Sequence, residues 1–292
     1  MRYAMLALAL SICGCGVTLA ETLNEQVERL FDEAKYAEAE PLAKQSLEES
    51  IKKNGPDHPQ TATSLNNLGE LYRTVGMYDL AEPLHKRALA IREKALGPDH
   101  PHTATSVNNL GALYENMGEY DLAEPLCKRA LGINEKAFGR DHPRTATDLN
   151  NLAVLYKIQG KYDLAEPLFK RSLGINEKAL GRDHPGTATD LNNLAELYRV
   201  QGKYDLAEPL YKRALAICEK ALGPDHPDTA ISLNNLGLLY ANQGKYSLAE
   251  PLYERAIAIF ENSLGVDHPT TIRLRDNLAD LQNGGKAKAT VQ

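Results

Sequence analysis

Six His-Pro pairs recur at one interval: His58, His100, His142, His184, His226 and His268 follow one another at 42 residues. Long stretches of sequence recur with them. A period of this size prescribes stacked copies of one supersecondary unit, none able to bury its apolar face alone. It argues against a single globular core around one cleft. Function is then expected on an extended surface.

One unit, residues 55–96, reads as two helices. Gly55 and Pro56 close the preceding helix. Pro59 suits a first helical position, where a missing N–H leaves nothing unpaired. Leu65, Leu68, Gly69 and Tyr72 share one face at helical spacing, and Gly76 ends the helix. The second helix is expected to start at Asp79, with Asp79 as cap and Glu82 three residues on in a capping box. Pro83 then falls in the first turn, where proline is tolerated. Leu84, Ala88, Leu89 and Ile91 supply its buried face, and Glu82 and Lys86 form a supporting i,i+4 pair. Tyr72 recurs as Tyr114, Tyr156, Tyr198 and Tyr240. Small residues at Gly69, Gly111, Ala153, Ala195 and Gly237 let paired helices approach closely.

The motif L-N-N-L-x-x-L-Y-x-x-x-G-x-Y-x-x-A-E-P-L, from Leu191 to Leu210, with G-x-D-H-P from Gly223 to Pro227, resembles the tetratricopeptide repeat. More narrowly it is similar to the 42-residue form found in kinesin light chains and their bacterial relatives. The resemblance runs from Glu21 to Leu281. It implies an all-α, right-handed superhelical solenoid of antiparallel helix pairs. The expected division is a signal peptide in 1–20, a partial first repeat acting as N-terminal cap in 21–54, and repeats at 55–96, 97–138, 139–180, 181–222 and 223–264. A C-terminal capping helix in 265–283 and a disordered tail in 284–292 complete it. Arg275 and Gln282 stand in the columns of Leu65 and Tyr72, which suits a last helix with one face in water. Kinesin light chains also carry a coiled coil for the motor chain. No heptad run is present here, so a motor role is not implied.

The first twenty residues differ from the rest. Arg2 precedes an apolar stretch from Ala4 to Ile12, and small residues follow at Thr18-Leu19-Ala20. This reads as a secretory signal cleaved after Ala20, too short to span a membrane. The alternative is a lipobox at Ile12-Cys13-Gly14-Cys15 with Cys15 lipidated. Either reading places the chain in the periplasm or cell envelope; an unprocessed chain would be cytoplasmic. Membrane attachment is expected only through Cys15. Cys127 and Cys218 lie more than two repeats apart. Stacked helices are about 8–10 Å apart, so their sulfurs are on the order of 20 Å apart, while a disulfide needs Cα atoms within about 7 Å. No disulfide is expected.

The net charge of −6 comes from interspersed signs, 33 basic and 39 acidic residues. Nucleic acid is therefore not an expected partner. The periodic histidines are one per repeat, about 10 Å apart, whereas zinc ligands sit about 2.1 Å from one ion. Neither a metal nor another cofactor is expected, and Asp-His-Pro reads as a helix-entry turn. Catalysis needs a unique constellation, and almost every polar residue here has several copies. An enzyme is not expected.

What remains is a column of asparagines: Asn67, Asn109, Asn151, Asn193, Asn235 and Asn277. With Thr63, Glu70 and Thr74, Asn67 lies on a helix stripe opposite Leu65, Leu68 and Tyr72. In tetratricopeptide arrays this stripe lines the concave groove. An Asn side chain offers one acceptor and two donors to a peptide backbone. The alternative is that these residues tie neighbouring repeats together, the role assigned to Asn66, Asn108, Asn150, Asn192 and Asn234. Val154, Ile158, Val200 and Leu238 form an apolar stretch in the same stripe. Glu70, Arg73, Glu115, Lys157, Glu196 and Arg199 surround it with both charges. The expected function is a non-catalytic scaffold that binds a peptide or protein partner in the groove. The alternative is an envelope lipoprotein acting as a structural assembly factor.

Overall fold

The computed structural model describes residues 22–33, 35–282 and 284. The expected signal segment 1–20, Cys15 and the tail beyond 284 lie outside the described residues. Those described form thirteen α-helices and no strand. Two compact units divide the chain between Pro98 and Asp99. The first holds α1 (Leu23–Asp32), α2 (Tyr36–Asn54), α3 (Pro59–Thr74) and α4 (Tyr78–Leu96). The second holds α5 (Pro101–Asn116), α6 (Tyr120–Phe138), α7 (Pro143–Ile158), α8 (Tyr162–Ala179), α9 (Pro185–Val200), α10 (Tyr204–Ala221), α11 (Pro227–Asn242), α12 (Tyr246–Leu264) and α13 (Pro269–Gln282). In each unit successive helices pack as hairpins, and each hairpin stacks on the next. This is an all-α solenoid of repeated helix pairs.

Each periodic histidine is a helix cap. The Nδ1 of His142 accepts from the backbone N–H of Arg144 at 3.1 Å, and Pro143 is the first helical residue. The other five histidines do the same. The imidazole takes the place of the usual Ser or Asp oxygen, satisfying one orphan donor. The loop ahead is closed from inside: the buried hydroxyl of Thr145 donates to the Gly139 carbonyl at 2.8 Å. Gly139 adopts φ 96, a left-handed conformation that favours glycine.

The turn within each pair is a Schellman motif. In the α7–α8 turn, Lys161 N–H donates to Tyr156 O and Gly160 N–H to Lys157 O. This geometry overturns the expected capping box. The second helix starts at Tyr78 with Met77 as N-cap, and no side chain caps it. The Met77 carbonyl already accepts from the N–H groups of Leu80 and Ala81, so Asp79 is the second helical residue. Its charge still complements the helix dipole. Pro83 is consequently the sixth helical residue, two positions further in than expected. There it deprives the Asp79 carbonyl of its i+4 donor. A capping box does occur at Thr22 and Glu25, on α1.

Small residues set the spacing inside each pair. A Cβ on Gly237 would stand 3.0 Å from the Tyr253 ring, and one on Gly69 would stand 2.9 Å from His85. Between pairs, the Tyr column is buried and polar-tipped. Tyr156 is 6% exposed, and its hydroxyl donates to Glu124 of the preceding pair at 3.1 Å. Tyr198 and Tyr240 reach Glu166 and Glu208 in the same way. Cys127 and Cys218 are buried free thiols. Burial pushes the Cys127 thiol up to about 12, which leaves it inert as a nucleophile. On α13, Arg275 and Gln282 are exposed and bond back to Glu261 and Glu250. Among the described residues no helix is long and apolar enough to cross a membrane.

Candidate functional site

In the second unit α7 touches α9, and α9 touches α11. The first helices of the pairs thus form the closely spaced inner layer, and their free face is the groove. It carries the expected asparagines. Asn109, Asn151, Asn193 and Asn235 are half-buried, and Asn277 is buried at 9% exposure. Their roles differ. Asn193 Nδ2 donates across the helix boundary to Asn150 Oδ1 at 2.8 Å, and Asn235 Oδ1 accepts a long 3.5 Å bond from Asn234. Neither Asn109 nor Asn151 bonds a protein group among the described residues. In the first unit Asn67 is half-buried and its Nδ2 has no partner.

The adjacent asparagine column stitches repeats together. Asn108 Nδ2 donates to Asp148 at 2.6 Å and Asn192 Nδ2 to Ser232 at 3.1 Å, each one pair further along. Asn66 pairs with His85 at 3.1 Å.

Val154, Ile158, Val200 and Leu238 are half-buried on the same inner layer. The charges around them are less exposed than the helical wheel suggests. Arg199 is 5% exposed and forks onto Glu196, with Nε to Oε2 at 2.7 Å and Nη2 to Oε1 at 2.8 Å. Tyr211 also donates to Glu196, at 2.9 Å. Burial pushes the Glu196 carboxyl up, but the Arg199 guanidinium outweighs it and holds the group below its usual range. In the first unit Glu70 is likewise buried, and Arg73 forks onto it at 3.0 and 2.6 Å. A planar guanidinium three residues after a glutamate closes both bonds within one turn. Lys157 has no such partner: Val154 stands three residues before it. It forms no ion pair among the described residues, and burial pulls its pKa down.

Two buried carboxylates were not anticipated. Asp148 and Asp190 are 1% and 3% exposed. Asp148 accepts from Asn108 and Asn134, both at 2.6 Å. Asp190 accepts from Ser172 at 2.8 Å and Asn176 at 2.6 Å. Burial pushes each carboxyl up to about 6, against the pull of those donors. The available signal was Thr-Ala-Thr-Asp in two repeats where others carry Ser. A column of half-exposed leucines was also missed: Leu122, Leu164, Leu206 and Leu248 are each about half exposed, 49–51%.

Comparison with known families and structures follows this geometry closely. The tetratricopeptide repeat profile matches residues 18–94, 67–116, 103–178, 149–199, 191–262 and 234–287. A Podospora anserina kinesin light chain with nearly identical repeats is 27% identical, with a TM-score of 0.59, over 70% of this chain and 97% of that one. BtubC from P. vanneervenii, also designated BKLC, is 26% identical, with a TM-score of 0.61, over 83% of this chain and 94% of that one. Aspartyl phosphate phosphatase F of Bacillus subtilis shares the fold alone, at 14% identity and TM-score 0.62, over 91% of this chain and 81% of that one. Curated proteins give no significant match. The profile matches span nearly the whole array, and so the chain belongs to the tetratricopeptide repeat family, in its kinesin-light-chain-like form.

Proposed function

We propose that the chain is an exported, non-catalytic scaffold that holds an extended peptide or protein segment against the inner helices of residues 99–292. The fold is typical of protein–protein interaction scaffolds. The observation that carries the reading is the half-buried asparagine column, above all Asn109 and Asn151, whose amides bond no protein group among the described residues. Such amides recognise backbone rather than side chains, so the ligand lies extended along them. The apolar residues Val154, Ile158, Val200 and Leu238 then take its side chains. Export rests on the apolar segment from Ala4 to Ile12.

The test is a pull-down with the repeats, followed by titration of the captured partner. Asn109, Asn151 and Asn235 are changed together to Ala. Asn193 is left intact because it serves Asn150. At about 0.5–1.5 kcal/mol per neutral hydrogen bond, affinity is expected to fall by roughly one to three decades, with helicity unchanged. Unchanged affinity in the folded variant refutes the groove as the binding surface.

A further inference from the structure

A cavity of about 160 Å³ opens between α1, α2 and α3 in the first unit. Its floor is made of the buried Ser46, Ser50 and Ser64, and its mouth of the exposed Glu49, Lys53 and Gln60. The second unit fills the same place with its own side chains. The columns of Ser50 and Ser64 carry Asn134 and Asp148 at α6–α7, and Asn176 and Asp190 at α8–α9. Each amide there bonds its carboxylate at 2.6 Å. At α2–α3 the serines stop short, and the space stays open.

The hydroxyl protons on the floor are already spent. A hydroxyl has one proton and two acceptor lone pairs. Ser46 donates to Asn24 Oδ1 at 2.7 Å, so the 3.1 Å bond between Ser46 and Ser64 takes the Ser64 proton. Thr61 donates to the Gly55 carbonyl at 2.8 Å, so its 3.2 Å bond with Ser50 takes the Ser50 proton. Ser50 and Ser64 therefore offer the cavity acceptors only. At the mouth, Glu49 and Lys53 stand four residues apart. At that spacing Glu40–Lys44 and Glu82–Lys86 close at 2.8 and 2.7 Å. Glu49 and Lys53 do not close on each other. One Glu49 oxygen accepts from Gln45 at 2.9 Å, and Lys53 forms no ion pair among the described residues.

We propose that this cavity binds a small free amino acid, with its ammonium against Ser50, Ser64 and Glu49 and its carboxylate on Lys53. The proposal does not rest on the groove reading. A floor of acceptors beside a carboxylate calls for N–H donors, and the lysine at the mouth calls for an anion on the same molecule. An ammonium taken out of water is tolerated only where its donors meet acceptors, and this floor supplies them. An engineered cavity of about 150 Å³ admits benzene. About six heavy atoms therefore fit here, the size of alanine, and a bulky side chain does not.

The experiment is saturation transfer from the full chain to the methyl protons of L-alanine. A saturable signal is expected, displaced by glycine and L-serine. N,N,N-trimethylglycine, which keeps both charges and has no N–H, should not displace it, and neither should L-phenylalanine, which is too large. Glu49→Gln and Lys53→Gln, both at exposed positions, should each weaken binding about ten-fold or more. Ser50→Asn with Ser64→Asp rebuilds the pair that Asn134 and Asp148 form and should abolish it. If that double variant loses helicity, the two mouth variants decide. No saturable signal at millimolar alanine means a cavity that holds water only, and overturns the site. Undiminished binding in either mouth variant, or in the folded double variant, does the same. So does displacement by trimethylglycine or phenylalanine as strong as that by glycine.

Discussion

Gly69 shows how much one position is asked to do. Its missing side chain makes room for the His85 ring, which is fully buried and held by Asn66. Gly69→Ala would gain roughly 1 kcal/mol of helix propensity. It would also place a methyl 2.9 Å from two ring atoms that have nowhere to go. Overpacking costs about 1–3 kcal/mol, so a net loss of stability is expected, read as a lower urea midpoint at unchanged slope. The need for a small residue here was legible, because the column repeats as Gly or Ala. The role of His58 and its five counterparts was legible only as a turn. That an imidazole nitrogen itself caps the helix depends on a side-chain rotation that periodicity does not encode. The two asparagine columns were separable for the opposite reason: a 100° step along a helix decides which one meets the next repeat.

Among elements, the contacts between one pair and the next carry the least predictable chemistry. Asp148 joins α7 to α6 and α5, and Asp190 joins α9 to α8, with no cation among the described residues bonded to either. Arg144 and Glu135 act on Asp148 only at longer range and with opposite sign. Each carboxyl rises from 3.8 to about 6 in the fold. The folded state therefore binds these protons more tightly than the unfolded chain. Their stabilising contribution is complete below pH 3.8 and is lost as pH rises through about 6, on the order of 3 kcal/mol per carboxylate. Asp148→Asn with Asp190→Asn should remove that pH-dependent part. Urea midpoints of the parent chain and the variant, compared from pH 4 to 7, check it. A difference between the two that stays constant across this range counts against it. Taking the difference cancels whatever the two proteins share. The mis-set start of α4 belongs to the same scale. Tyr-Asp-Leu-Ala-Glu has the letters of a capping box, but the preceding Schellman turn had already fixed the cap two residues earlier, at Met77.

For the molecule as a whole, the repeat period announced the fold and concealed the division between Pro98 and Asp99. Gly97-Pro98-Asp99-His100-Pro101 reads like Gly55-Pro56-Asp57-His58-Pro59, so no local residue marks the boundary. The proposed export makes a prediction at this scale. Protein recovered from a bacterial envelope should have a mass that begins at Glu21; a lipidated Cys15 would mean anchoring instead, and an intact Met1 in the cytosolic fraction defeats both. The ties between pairs also have a consequence for how such a chain can change. Tyr156, Tyr198 and Tyr240 each reach a glutamate 32 residues back, and Thr145, Thr187 and Thr229 each reach a glycine carbonyl six residues back. Donor and acceptor both recur every 42 residues. Excising or duplicating one full period within the second unit therefore rejoins every one of these bonds, while a cut of another length severs them. The number of repeats is thereby free to drift in a lineage, and residues that break the pattern, such as Lys157, are what give one repeat an address among its copies.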